Sequence, residues 1–295
     1  MNEKRIFALG FFDGVHLGHQ ALLKACCRLA NERGCQAAAA SFDMAPGAVL
    51  QNQPPRMINT ADDRVSLLRQ YGIGPVYLYK ADHNTLSWTW QQFLEDLLRK
   101  GAAGFVCGND YRFGKGGAGS AQILQEFCKE KGLPCEVLPE QTLDGSHISS
   151  TRIRSLLEDG QAEQANRLLG HSHILTGTVV HGKQLGRTIG IPTANLLLPP
   201  ELLVPRFGVY ACKAFAEGKW YPAVTNIGTR PTVNGTGITV EPWLLDFSGD
   251  LYGKPLRLEF HSFLRPETKF PTLSHLQAEI RKNAEQTRKF FEKSE

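Results

Sequence analysis

Apolar positions along the chain follow two rhythms, and the change between them divides it. From Ile6 to about Cys135, short apolar runs alternate with longer segments of helical spacing. Ile6–Leu9, Gln36–Phe42, Pro75–Tyr79, Phe105–Cys107 and Glu136–Leu138 have the length and residue types of buried strands. Leu17–Arg33 carries Leu22, Cys26, Leu29 and Ala30 on a helical spacing, and Ala61–Tyr71, Thr89–Lys100 and Ala121–Lys131 read likewise. Gly34, Gly72, Gly101 and Gly132 follow these segments, where the residue past a helix end commonly turns left-handed. Strand and helix in alternation predict an α/β unit: a parallel sheet with helices on both faces.

Ser155–Leu169 reads as two short helices broken at Gly160. After His173 the rhythm becomes alternation without helices, over 174–181, 193–198, 208–215, 219–226, 239–247 and 256–264. Glu217-Gly218 has the look of a tight hairpin turn. Such spacing predicts a small antiparallel β-barrel. A charged amphipathic helix, Thr272 to about Phe291, closes the chain. The change near residue 170 predicts domains at 1–170 and 171–295, abutting without a long linker.

Composition narrows the picture a little. A length of 295 residues allows two domains, each with its own core. The formal net charge of +4, with no basic run, argues against nucleic acid or a membrane surface as the main partner. Seven cysteines without a Cys-x-x-Cys spacing argue against a disulfide framework. Most fall within apolar segments, so buried, reduced thiols in a cytoplasmic protein are expected, and no signal peptide or membrane-length apolar stretch is evident.

The candidate chemistry starts where the first strand ends. Ile6 to His19 reads Ile-Phe-Ala-Leu-Gly-Phe-Phe-Asp-Gly-Val-His-Leu-Gly-His. Gly10 allows a sharp turn or close ligand approach, and the following helix start favours anions through its free N–H groups and dipole. His16 and His19 can add hydrogen bonds to phosphate oxygens; a metal pair or plain solvated histidines are the alternatives. Cys107-Gly-Asn-Asp-Tyr-Arg-Phe-Gly-Lys115 follows another strand and leads into Gly114–Gly119. No Gly-Lys-Ser/Thr follows, so this is not a Walker loop, and a mobile loop is the plain alternative. Ile148-Ser-Ser-Thr-Arg-Ile-Arg154 sets hydroxyls ahead of arginines at a helix start. A serine there can be only an N-cap, but an arginine in the first turn opposes the dipole unless an anion is present.

In the second half, Gly182-Lys-Gln-Leu-Gly-Arg-Thr-Ile-Gly-Ile-Pro-Thr-Ala-Asn195 is a flexible basic loop with glycines at 182, 186 and 190, suited to phosphate. Thr193 and Asn195 then project from one strand face at period two. Their oxygens suit magnesium bridging phosphates; a turn followed by an edge strand with solvated polar residues is the alternative.

The compound motifs are more specific than their parts. Gly-Phe-Phe-Asp-Gly-Val-His-Leu-Gly-His resembles the His-x-Gly-His signature of the nucleotidyltransferases. With Gly-x-Asp-Tyr-Arg-Phe-Gly and Ile-Ser-Ser-Thr-x-Ile-Arg in this order, it resembles the adenylyltransferase half of bacterial bifunctional riboflavin kinase/FMN adenylyltransferases. Gly-x-Pro-Thr-Ala-Asn resembles the riboflavin kinase hallmark, and 226–232 and 241–247 fall where that family has its own versions.

The resemblance covers nearly the whole chain and implies a Rossmann-like first domain and a riboflavin kinase-like barrel. It implies that His16 and His19 bind ATP phosphates and stabilise charge at the α-phosphorus, with Gly10 and Asp110 at the nucleotide and Ser150, Thr151 and Arg154 on phosphates. In the barrel it implies Glu241 as general base, with Thr193 and Asn195 on Mg2+. The substrates would be ATP, riboflavin and FMN, with no nucleic acid or membrane partner. Two departures stand out: Phe42-Asp43-Met44-Ala45-Pro46 has alanine where the family carries histidine, and Pro242-Trp243 differs from the commoner pattern. A riboflavin kinase with a degenerate first domain is the alternative that Ala45 would favour.

Overall fold

The computed structural model describes residues 3–52, 56–182, 186, 190–232 and 235–292. The chain separates into two compact units, 1–57 with 61–150, and 58–60 with 151–295.

The first unit is built on five parallel strands: β1 (Arg5–Leu9), β2 (Gln36–Phe42), β3 (Val76–Tyr79), β4 (Ala102–Gly108) and β7 (Cys135–Leu138). Their order across the sheet is β3-β2-β1-β4-β7. The chain therefore steps outward one way from β1 through β2 and β3, then returns to β1's other side with β4. That reversal opens a crevice beyond the carboxyl ends of β1 and β4, where open α/β sheets bind ligands. β1 from Ile6 to Leu9 and the middle of β4, Gly104 to Cys107, are buried, as central parallel strands must be. β2 contains a run of alanines, poor strand formers alone, that pairs with β1 from Arg5↔Gln36 to Leu9↔Ala40. Helices α1 (Leu17–Glu32), α3 (Ala61–Gln70), α5 (Trp90–Arg99) and α6 (Ala121–Lys131) make the crossovers, with short helices α2 (Pro46–Leu50) and α4 (His83–Leu86) between them. Gly132 ends α6 in a left-handed conformation, φ 65°.

Two small hairpins decorate the unit, β5–β6 (Arg112–Phe113 with Gly119–Ser120) and β8–β9 (Thr142–Leu143 with Ser146–His147). The glycine-rich stretch 114–119 is therefore not a loose loop. Lys115 N–H bonds the Trp88 carbonyl at 2.7 Å, and a Cβ on Gly114 would fall 2.6 Å from the Trp90 nitrogen.

Helices α7 (Ser150–Glu158) and α8 (Ala162–Leu169) precede the barrel, α7 beginning earlier than the sequence pattern marks. The barrel is closed, in the order β10-β11-β14-β13-β12-β15. Its strands are β10 (His173–Val180), β11 (Asn195–Leu197), β12 (Gly208–Ala216), β13 (Lys219–Thr232), β14 (Gly235–Leu244) and β15 (Pro255–Arg265). Every pairing is antiparallel. Leu196, Val240 and Ile227 lie side by side across three strands and are buried, which sets the inward face. The helix Leu273–Glu292 covers part of the outer face, Ala284 packing with Val209, Val224 and Leu245. Asn283 on that helix accepts from Arg265 Nε at 3.0 Å.

Candidate active sites

In the first unit, the turn after β1 carries unusual backbone. Phe12 and Val15 have φ of 57° and 41°, with Gly14 between them at 83°. Left-handed backbone is costly at a β-branched residue and persists only where its surroundings impose it. Val15 N–H closes the turn on the Phe12 carbonyl at 3.0 Å. The space left by Gly10 is taken by the Phe12 ring, 2.9 Å from where a Cβ would be. That glycine thus serves the turn rather than leaving open room for a ligand.

His16 is the N-cap of α1, its Nδ1 accepting the His19 N–H at 3.4 Å. The two imidazoles stack, with centroids 3.6 Å apart, and the Phe12 ring meets His19 edge-on at 5.3 Å. Gly18 lets the His16 ring lie close; a Cβ there would be 3.3 Å from it. Burial, then His16 and Arg64, hold the His19 imidazole well below the usual histidine range. Its Nδ1 is buried without a partner among the described residues.

A cleft of about 360 Å³ opens here, lined by Gly10, His16, His19, Asp110 and Ser150 among others. Three separated stretches of sequence therefore meet at the end of the sheet. A Cβ at Gly108 would come 2.7 Å from Asp110 Oδ1, so the glycine makes room for that carboxylate. Ser150 donates its hydroxyl to the Asp13 carbonyl at 2.9 Å, tying the start of α7 to the β1 turn. Thr151 and Arg154 follow on α7, within the second unit, and are not among the lining residues. Glu140, Gln141 and His147 also line the cleft, and sequence reasoning missed them. Their signal was position: they lie between β7's carboxyl end and the Ile148 motif. His147 Nε2 and Glu140 Oε2 are 3.4 Å apart.

In the barrel, Gly182 and Gly186 are packing glycines. A Cβ on Gly182 would sit 2.3 Å from Asn195 Nδ2, and one on Gly186 would be 2.1 Å from the Ile191 carbonyl and 3.3 Å from Thr193 Oγ1. Gly190 differs: it has φ 70°, and among the described residues nothing lies within 4 Å of where its Cβ would be. The basic residues of this loop, Lys183 and Arg187, lie outside the described residues. Strand β11 begins at Asn195, so Thr193 stands just before it rather than on it. Thr193 lines a second cleft, about 270 Å³, with Val179, Phe247 and Tyr252. The Tyr252 ring stacks on His181 at 3.8 Å.

Asn226 is registered directly against Glu241, and Leu196 against Val240. The Ala194 N–H to Pro242 carbonyl bond, 2.9 Å, carries that second register one step further and sets Asn195 opposite Glu241. Asn195, Glu241 and Asn226 thus form one row across the face opposite to Val240, the outer one. Pro242 serves the register through its carbonyl, and Trp243 packs into the apolar cluster beneath the C-terminal helix.

The family model for FAD synthetase matches residues 1–152, and that for riboflavin kinase matches residues 169–291. A bifunctional riboflavin kinase/FMN adenylyltransferase from Listeria monocytogenes is 34% identical over 99% of this chain and 94% of its own length. Its counterpart from Escherichia coli is 36% identical over 98% and 93%. The chain belongs to the bifunctional riboflavin kinase/FMN adenylyltransferase family.

Both halves of that family are present, in order, so the enzyme carries the two activities rather than a kinase alone. A crystal structure described as a macrolide-efflux protein from Streptococcus pneumoniae superposes with a TM-score of 0.87 at 30% identity, over 98% of this chain and 95% of that one. The bifunctional enzyme thus shares its fold with that protein. Among the described residues of the present chain, no helix is long and apolar enough to cross a membrane.

Proposed function

We propose that the cleft at the end of β1 and β4 is the adenylyl-transfer site and that the outer barrel face around Asn195 and Glu241 is the kinase site. The observation that carries the first assignment is the convergence of His16, His19, Asp110 and Ser150 on one cleft at the sheet's reversal point. There the FMN phosphate attacks the α-phosphorus of ATP. A phosphorus–oxygen bond forms, the bond to the bridging oxygen breaks, and pyrophosphate leaves. A phosphate nucleophile needs no general base, so the chain's part is positioning and charge stabilisation. His16 and His19 donate hydrogen bonds to phosphate oxygens, Asp110 lies at the nucleotide, Ser150 holds phosphates, and Gly10 serves the turn that carries the histidines.

In the barrel, Glu241 takes the proton of the ribityl hydroxyl as that oxygen attacks the γ-phosphorus of ATP. Gly182 and Gly186 leave room for Asn195 and Thr193 beside the triphosphate, and Gly190 supplies a left-handed turn. Thr193 and Asn195 offer neutral oxygen donors on a glycine cradle, a set that fits Mg2+ held jointly with phosphates. Among the described residues no cluster of three His, Cys, Asp or Glu side chains could hold a metal, so such an ion would depend on the nucleotide. When bound, Mg2+ would neutralise triphosphate charge. The partners in this reading are small molecules, and the seven unpaired cysteines suit the reducing cytoplasm.

Two variants separate the sites. His19→Ala should lose conversion of FMN to FAD while still making FMN, and Glu241→Gln should do the reverse. FAD production at the wild-type rate by His19→Ala would remove the first assignment.

A further inference from the structure

Arg64, on α3, is fully buried and belongs to none of the three motifs that build the adenylyl-transfer cleft. Its Nη2 donates to two carbonyl oxygens at the end of β2, Phe42 at 2.5 Å and Asp43 at 3.0 Å. Its guanidinium carbon lies 4.7 Å from the centre of the Phe11 ring. Nε and Nη1 are buried without an acceptor among the described residues. An apolar side chain would fill this volume without burying a charge that is only partly satisfied, so packing alone does not account for an arginine.

What surrounds it suggests the account. Phe11 opens the strained turn that leads to the histidines, and its carbonyl accepts the Ser41 hydroxyl at 2.8 Å. One residue earlier, the Gly10 N–H bonds the Ala40 carbonyl at 3.3 Å. The turn is therefore fastened to the end of β2 at its first residues, and Arg64 bridges that strand end and the Phe11 ring. Beyond Phe11 the backbone enters the left-handed conformations at Phe12 and Val15, which need external support. The charged groups whose fields reach Arg64 are Asp13 and Asp43, and its own field reaches His19.

We infer that Arg64 is a positioning residue for adenylyl transfer: it clamps the Phe11–Val15 turn to the end of β2 and so fixes where His16 and His19 stand. This rests on the role proposed above for that pair. A small displacement of groups aligned on a transition state can cost about 100-fold in rate while leaving ground-state binding largely intact.

The test uses full-length Arg64→Met, Arg64→Lys and His19→Ala, with FMN-to-FAD kinetics over a range of ATP concentrations and near-UV circular dichroism as the check of folding. Arg64→Met should lower kcat about 100-fold with KM for ATP changed less than about threefold, and should leave FMN formation from riboflavin unchanged. Arg64→Lys keeps the charge but not the planar fork, and should fall about tenfold below wild type, between wild type and Arg64→Met. Wild-type kcat in folded Arg64→Met would overturn the inference, as would a change confined to KM. If Arg64→Met does not fold, wild-type kcat in Arg64→Lys does the same. His19→Ala separates the two levels: if it still makes FAD, the cleft assignment falls, whereas a dead His19→Ala beside an active Arg64→Met removes the inference alone.

Discussion

His16 and His19 lie face to face, their planes 16° from parallel and their centroids 3.6 Å apart. Burial first, then the facing His16 ring and the nearby Arg64, disfavour the charged form of His19. A triphosphate entering the cleft reverses the balance, because negative charge favours the protonated imidazole.

ATP binding to this cleft is therefore expected to take up a proton near pH 7. Calorimetric titration of ATP in buffers of different ionisation enthalpy measures it. The uptake should shrink in His19→Ala, which also corrects for ATP bound at the barrel. Equal uptake in the variant and wild type would mean that His19 does not meet the nucleotide.

The barrel glycines predict a contrast. Gly182→Ala forces a Cβ against the Asn195 amide and should lower FMN formation about 100-fold through misplacement, sparing FMN-to-FAD conversion. Gly190→Ala meets no neighbour among the described residues and costs about 1–2 kcal/mol of stability for its left-handed backbone. Initial rates and melting temperatures of the two variants test this. Equal kinase loss in both would mean that backbone freedom, not room for Asn195, is what the loop needs.

Asn195→Ala should abolish FMN formation and leave FMN-to-FAD conversion intact. Product chromatography from riboflavin and from FMN checks it, and unimpaired FMN formation would sink the magnesium role of Asn195.

The two domains were legible in the sequence because apolar period and glycine punctuation follow from local geometry. The strand order was not, since β1's two neighbours come from residues 36–42 and 102–108 and only packing chooses between edges. The hairpin across 226–239 also escaped. Gly228, Pro231, Gly235 and Gly237 read as strand breakers, yet pairing runs unbroken from Asn226↔Glu241 to Thr232↔Gly235. At the cleft, the motif histidines stood out through the compound Gly-Phe-Phe-Asp-Gly-Val-His-Leu-Gly-His pattern, not through their spacing alone. Arg64 did not, because nothing in Asp62-Asp63-Arg64 distinguishes a buried arginine from a solvated one; the packing of α3 buries it.

His173 predicts how acid acts on the second unit. It is fully buried, neither ring nitrogen has a partner among the described residues, and burial, with His171, pushes its imidazole down to about 3. Above an ordinary histidine pKa of about 6.5, the folded and unfolded chains both carry it neutral, and it has no effect. Below that value the unfolded chain takes up a proton that the folded one refuses, so stability falls by about 1.4 kcal/mol per pH unit from this group. Equilibrium unfolding at pH 7, 6 and 5 should show a shallower decline in His173→Leu. Identical slopes would place the acid sensitivity elsewhere.

Both activities belong to this chain, although the resemblance leads one to expect a histidine where Ala45 stands. Ala45 caps α2 through its backbone alone, with no side-chain bond. The most direct measurement is chromatographic product analysis of the purified protein with ATP and magnesium, once from riboflavin and once from FMN. FAD from both starting flavins is predicted, and it would show that the residues lining the β1–β4 cleft suffice without that histidine. FMN from riboflavin, with no FAD from either, would mean a kinase beside a first domain without its chemistry.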